Sequence, residues 1–340
     1  MPAPSGAYNE LLSTTLRDIS TVAIDNARKQ HPLFETLRKN YKSQPGGAEM
    51  QIPVILGEEV APTFTSSASG VFNPAASDNI ITSAVYDFAG IQIGQVRIPY
   101  LDLERNTGKN QIIDRLATHR EALIYQFQKS FAQNMHVLDG DRVANSYLSL
   151  DSLCNDAVEE VGGIDYTTSG NGNWRPVTDD TTGDRDIKAT FRKLFDAIRL
   201  NSDGVRPDVC HVGKNVWDLI REYLDDVGTL DTVGSRSAVE FAWESIRFEG
   251  VEVRWDYDCP NDRIYALYTP ALHWRSLNDN FMKVEEPQRV YVTDGGVTKN
   301  SLDMTYPVVN VFSVGTNQRR ALGLITGVGV EPEPEPEPEV

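Results

Sequence analysis

The pattern that most restricts this chain is a long amphipathic run in its first half. From Lys109 onward, Ile112, Leu116, Leu123, Phe127, Phe131 and Met135 recur at spacings of four and seven, with Ile113 and Ile124 alongside. Such spacing lays one apolar stripe along a helix spanning 109–136. At 1.5 Å per residue that helix is about 40 Å long. A rod of this length is long for a compact domain and has to act as a spine on which other layers are laid. Asn106-Thr107-Gly108 breaks the chain just before it.

Ahead of the spine the chain changes character twice. Asn9 can cap a helix carrying Leu12, Leu16, Ile19, Ala23 and Ala27 at helical spacing. His31-Pro32 interrupts it, and Pro32 suits the first turn of a short second helix, Leu33 to Lys39. These helices have little to bury themselves against. After the Gln44-Pro45-Gly46-Gly47 turn, Met50-Ile52-Val54 and Ile91-Ile93-Val96-Ile98 read as strands. Between them, Glu58 to Asn79 is dominated by Ser, Ala, Gly and Pro, with Val60, Phe64, Val71 and Phe72 its only large apolar residues. That composition predicts an extended hairpin tip rather than a core element. Its apolar surface is too small to offset about 1–2 kcal/mol of backbone entropy per residue. The tip is therefore expected to order against a neighbouring subunit, with Phe64 and Phe72 as anchors.

Beyond the spine, Gly162 to Arg185 is polar and loop-like, and Ile187 to Leu200 is amphipathic with Phe191, Leu194, Phe195 and Ile198 on one face. A compact alternation follows: strand Val209–Val212, helix Lys214–Leu224, a half-exposed strand Phe248–Trp255 and a buried strand Ile264–Tyr268. Ser301–Val314 is strand again, followed by Arg319-Arg320-Ala321-Leu322-Gly323-Leu324-Ile325. The last ten residues alternate Glu and Pro, which favours an extended, solvated conformation.

The residues give chemistry little purchase. Of 340 residues, 40% are hydrophobic and 24% charged, a globular balance. Asp and Glu number 49 against 32 Lys and Arg, a net charge of −17, and no block of clustered bases appears, so tight binding of DNA or anionic membrane is not expected. No apolar stretch is long enough to cross a membrane, and the N-terminus shows no secretory pattern. Cys154, Cys210 and Cys259 are too widely spaced for a zinc pattern and read as buried thiols. His31, His119, His136, His211 and His273 form no metal pair and read as structural histidines. No catalytic or cofactor motif stands in a supporting context: Gly327-Val328-Gly329 reads as a turn and Asp179–Asp186 as a solvated loop rather than a calcium site. Trp255, Trp274 and Phe281 read as core or subunit interface, and Arg319-Arg320 as a subunit ion pair or plain surface. No catalytic residue, cofactor or metal is expected.

Several segments, in order, resemble the major capsid proteins of tailed double-stranded-DNA bacteriophages. Leu37 to Gly47 followed by strand resembles the junction between N-terminal arm and extended loop, and Asn106-Thr107-Gly108-Lys109 the approach to the spine helix. Val216-Trp217-Asp218-Leu219-Ile220 resembles the axial-domain helix. Ile264-Tyr265-Ala266-Leu267, Leu272-His273-Trp274-Arg275 and Gln318-Arg319-Arg320-Ala321-Leu322-Gly323 resemble the C-terminal strands. The Glu-Pro tail departs from that pattern. The resemblance implies an α+β capsid fold. Its parts are an N-terminal arm (1–47), an extended hairpin loop with flanking strands (48–100), a peripheral domain containing the spine (101–205), an axial domain (206–270), return strands (271–329) and a disordered tail (330–340). It implies hexamers and pentamers of this chain forming an icosahedral shell around phage DNA. The further partners it implies are a separate scaffolding protein, a portal and decoration proteins. It places the protein in the virion, and in the host cytoplasm during assembly. Subunit contacts are expected at Phe64, Phe72, Arg319 and Arg320.

Two other classes fit parts of the pattern. A decoration, tail or glycan-binding protein of the same kind of particle would be a strand-rich trimer, which the spine helix argues against. An enzyme would need a convergent acid, base or nucleophile set that the sequence does not offer. One expectation concerns the tail: before Val340, Glu331 to Glu339 has no apolar residue to bury. A chain ending at Gly329 should keep its melting temperature within a few degrees by calorimetry, and a large drop would show that the tail docks on the fold.

Overall fold

The computed structural model describes residues 31–56, 81–88, 91–98, 115–143, 146–182, 186–227, 245–278, 280–281, 283–284, 288–294 and 297–330. In chain order the elements are α1 (Pro32–Arg38), β1 (Tyr41–Gln44), β2 (Glu49–Ile55), β3 (Ile81–Asp87), β4 (Ile91–Ile98), α2 (Arg115–Met135), α3 (Leu150–Cys154), β5 (Glu160–Val161), β6 (Ile164–Asp165) and β7 (Val177–Asp180). There follow α4 (Ile187–Asn201), β8 (Val209–Val212), α5 (Lys214–Val227), β9 (Ser245–Phe248), β10 (Val251–Trp255), β11 (Ile264–Leu267) and β12 (Leu272–Leu277). The chain closes with β13 (Lys283–Val284), β14 (Gln288–Asp294), β15 (Val297–Thr316) and β16 (Gly323–Thr326). Two compact units emerge, and they do not follow chain order. The first takes the described residues of Ile91–Ser130 and Asp279–Val311, and the second those of His31–Gly90, Phe131–Asn278 and Phe312–Val340.

In the first unit β15 is the central strand. β14 folds back on it antiparallel with a bulge between Arg289 and Tyr291, and β4 pairs with its residues 304–311. The stripe on α2 explains what lies beneath β4. A Cβ on Gly94 would meet the Leu123 and Phe127 side chains at 2.8 and 2.9 Å, so only glycine lets strand and helix approach this closely. Phe127, Val96 and Val308 are buried in this unit.

The second unit is built on a six-stranded sheet in the order β7-β16-β11-β8-β10-β9. β8 lies at its centre with all four residues buried, parallel to β10 and antiparallel to β11. Asp186 caps α4 by accepting from Ala189 N at 3.0 Å. The helix buries Phe191, Leu194 and Ile198 in the same core as Trp217 and Ile220 of α5. Elsewhere in this unit β1 lies parallel to β12, and β12 pairs with residues 312–316 of β15. The β2–β3 hairpin alternates buried Met50, Ile52 and Val54 with exposed residues. Tyr86 fixes it, its hydroxyl donating to Thr316 O at 2.7 Å while its ring fills the space over Gly315.

Most helices match the expected positions to within a few residues, because each carries an uninterrupted stripe. Residues 109–114 of the expected spine, the helix before His31 and the tip Glu58–Asn79 lie outside the described residues. Two strand readings need correction. The partner of β2 is β3, not the 91–98 strand, which pairs instead with β15. The single strand expected over Phe248–Trp255 is a hairpin, β9 and β10, because Glu249 and Gly250 both adopt left-handed conformations with φ of 49° and 90°. Its alternation of apolar and polar residues continues through the turn and so hides it.

One close approach holds β8 against the chain that precedes β11. A Cβ at Gly213 would lie 1.9 Å from Pro260 O and 2.7 Å from Asn261 Cα, both backbone atoms that cannot rotate away. Gly213→Ala should destabilise the subunit by about 1–3 kcal/mol or more, read as a lowered urea midpoint. Gly140→Ala, where nothing lies within 4 Å of the new methyl, is the matched control and should leave the midpoint near wild type.

Candidate functional site

The turn after β10 carries three polar residues in succession into apolar surroundings: Asp256, Asp258 and, one residue on, Cys259. Asp256 is completely buried. An ionised carboxylate is tolerable there only if donors converge on it, and they do. Leu33 N of α1 donates to its Oδ2 at 3.2 Å and Asp258 N to its Oδ1 at 3.1 Å. His211 Nδ1, on β8, stands 3.5 Å from Oδ2, too far for a strong hydrogen bond. Burial works against the anion, but the His211 contact, the fields of His136 and His211 and the Asp258 N–H outweigh it. The carboxyl is held well below the usual range. Asp258 in turn meets His31 Nδ1 at 3.1 Å.

His136, just past the end of α2, completes the cluster. Its Nδ1 lies 2.9 Å from Ala132 O, its ring is 5.9 Å from that of Tyr265, and it is 3% exposed. Burial lowers its pKa, opposed by the nearby Asp256, so the imidazole is neutral near pH 7. Beside these groups an aromatic cluster seats α1. Phe34 meets Phe131 and Trp274 edge-on at 5.6 and 5.4 Å, while Phe131 and Trp274 stack at 4.8 Å. Burial of such rings contributes more than any single polar contact here.

Arg319 forms a second buried polar feature. Its guanidinium donates to the carbonyls of Leu153, Ser152, Asn155 and Val158 at 3.0, 3.3, 2.7 and 2.7 Å, gathering the C-terminal end of α3 and the chain beyond it. Burial pulls its pKa down to about 10, which leaves it charged at neutral pH. The expected subunit contact at Arg319 is thus replaced by an internal one: the side chain is fully buried and its Nε and Nη2 donate within its own chain. Arg320 pairs with Asp203 at 2.8 Å and is partly exposed. Phe64 and Phe72 lie outside the described residues.

As chemistry, these arrangements bind segments rather than substrates. Burial pushes the thiols of Cys154, Cys210 and Cys259 up, away from the reactive thiolate. No group of three or more His, Cys, Asp or Glu able to hold a metal is found among the described residues. Sequence reasoning treated the histidines one at a time and missed that His31 meets Asp258 while His211 approaches Asp256. The available signal was Asp256-Tyr257-Asp258-Cys259-Pro260, acids set directly after an apolar strand.

No family model matches the chain, and no curated protein matches it in sequence. Solved structures do. A chain of the cyanophage A-1(L) capsid asymmetric unit is similar with a TM-score of 0.69 at 14% identity, over 94% of this chain and 99% of that one. A Microbacterium phage Oxtober96 chain gives 0.59 at 13%, over 95% and 99%. The capsid of a native GTA particle gives 0.57 at 11%, over 92% and 96%. The chain therefore has the α+β fold of phage capsid subunits, as its segment order led one to expect.

The two neighbouring arginines should respond very differently to mutation. Arg319→Leu strands four carbonyls in a buried site, where each unsatisfied group costs about 1–3 kcal/mol, so a loss of at least about 3 kcal/mol is expected. Arg320→Ala removes only a pair to an exposed aspartate and should cost less than about 1 kcal/mol. Chemical denaturation of both variants checks the contrast.

Proposed function

We propose that this protein is a major capsid protein, assembling through copies of itself into the hexamers and pentamers of an icosahedral phage shell around double-stranded DNA. The observation that carries this reading is the near end-to-end likeness to a cyanophage capsid chain, covering 94% of one and 99% of the other. A likeness of that extent leaves no large segment of either chain to serve a different architecture. The protein acts as a virion building block, without catalysis. The acidic balance suits a container that must not grip its DNA, with net charge −17. A separate scaffolding protein, a portal and decoration proteins are the further partners this reading assigns, with assembly in the host cytoplasm.

The β2–β3 hairpin supports the same reading. Its ladder ends in the cross-strand pair Ile55 and Ile81, 70% and 71% exposed. Two isoleucines side by side in water at a strand end form a contact surface. Phe64 and Phe72, in the segment that this ladder leads into, are assigned as further anchors on the neighbouring subunit.

Electron microscopy and sedimentation of the purified protein test the function. Closed shells or capsomers are expected, and a monomer at every concentration would overturn the reading. The double change Ile55→Asp with Ile81→Asp should leave the melting temperature within about two degrees, since exposed positions rarely cost more than ~0.5 kcal/mol each. The same variant should fail to form shells.

A further inference from the structure

We propose that the basic face of β1 and β12, centred on Lys42 and Arg275, docks the Glu-Pro tail of a second copy of this chain. Lys42 and Arg275 are register partners in the parallel β1–β12 pair, so their side chains leave the same face side by side. His273 stands two residues earlier on β12 and shares that face. Burial, then the positive fields of Arg275 and Lys42, hold its imidazole below the ordinary pKa, in keeping with both charges lying near it. The opposite face carries Tyr41 and Trp274, whose rings meet at 5.6 Å in the aromatic cluster. The bases are thus turned outward: Lys42 is exposed and Arg275 half-exposed. Arg38 and Lys39, also exposed, close α1 just ahead of the strand.

Like charges directly opposite each other on neighbouring strands repel. Among the described residues neither Lys42 nor Arg275 has an ion-pair partner to offset that repulsion. Elsewhere on this acidic chain arginines do find carboxylates. Arg175 meets Asp156 at 2.8 Å, Arg192 meets Glu249 at 3.0 Å and Arg254 meets Glu252 at 2.8 Å. A lysine on an edge strand also guards against stray strand pairing, but that role needs no arginine beside it. The open pair leaves a face complementary to an anion from outside the subunit.

The chain itself supplies that anion. Over residues 331–339 five glutamates alternate with proline, and no base interrupts them. Proline presets an extended helix of three residues per turn, in which glutamates at every second position point to all three sides. Such a segment offers carboxylates to a basic face whatever its rotation, and it loses little conformational freedom on docking. The tail follows β16, which lies in the other six-stranded sheet from β1 and β12, so a neighbour's patch is favoured over its own. Single exposed ion pairs are weak, and the contact therefore builds where copies are held close together. For that closeness it rests on the shell reading above. In dilute subunits the tail stays free, and its removal leaves the melting temperature unchanged.

Isotope-resolved cross-linking of the full chain tests this. Natural and heavy-nitrogen forms are mixed in equal amounts under assembly conditions and treated with a carbodiimide, which joins an amine to a carboxylate only where they touch. Mass mapping should find Lys42 joined to glutamates of the tail in mixed-isotope pairs. Lys193 and Asp179, 2.8 Å apart within one subunit, provide the internal standard and should join only in same-isotope pairs. Arg275→Gln leaves the Lys42 amine in place and should lower the Lys42–tail yield by about threefold or more against that standard. Absence of the Lys42–tail product would overturn the proposal, as would a product confined to same-isotope pairs, or a yield that a folded Arg275→Gln protein leaves unchanged. Should that variant not fold, the wild-type isotope pattern decides. Binding of a labelled DNA duplex that depends on Arg275, with no tail product, would assign this face to DNA instead. The two readings fail separately. Shells without the product overturn the docking alone, whereas mixed-isotope product in a solution that forms no shells upholds the docking and overturns the shell.

Discussion

A carboxylate stripped of water must find its donors in the protein, and Asp256 finds them on segments far apart in the chain. Its partners come from α1, from β8 and from its own turn. None of these can be moved alone, because each is also committed elsewhere. β8 is the buried centre of the six-stranded sheet, and α1 is seated by Phe34 against Phe131 and Trp274. The polar cluster contributes register more than strength. Apolar burial holds the layers together, and the donors around Asp256 fix where α1 starts.

Much of this architecture was legible in the sequence, and the reason is periodicity. α4 and α5 have stripes of Phe, Leu and Ile that only a helix can bury, and Val209–Val212 and Ile264–Leu267 are short apolar runs between breakers. β3 escaped notice because Ile81-Thr82-Ser83-Ala84 follows a polar stretch and presents just two buried residues, Ala84 and Tyr86. The turn at Glu249-Gly250 escaped because polar and apolar residues keep alternating across it. Arg319 was misread for a deeper reason. An arginine is ordinarily a surface residue, and nothing local reveals that four carbonyls from residues 152–158 will meet it. Long-range pairing of this sort is written in the fold, and a single stretch of sequence does not carry it.

The same division decides where the chain's reactive groups lie. Several groups with reactive chemistry are turned inward: burial keeps the thiols protonated, His31 meets Asp258, and Arg319 donates to backbone carbonyls. The surface keeps paired apolar residues such as Ile55 and Ile81. The groups turned inward rigidify the fold.

The docking of α1 also has a consequence in time. His31 and Asp258 are separated by 227 residues, and β1 pairs with β12 across a comparable span. During synthesis at about 5–20 residues per second, some 10–50 s pass between the appearance of α1 and that of its seat. Throughout that interval Leu33 N lacks its Asp256 acceptor and Phe34 lacks the Trp274 ring. A nascent chain therefore carries an α1 whose apolar face is not yet fully seated, and loop closure over so long a span is slow.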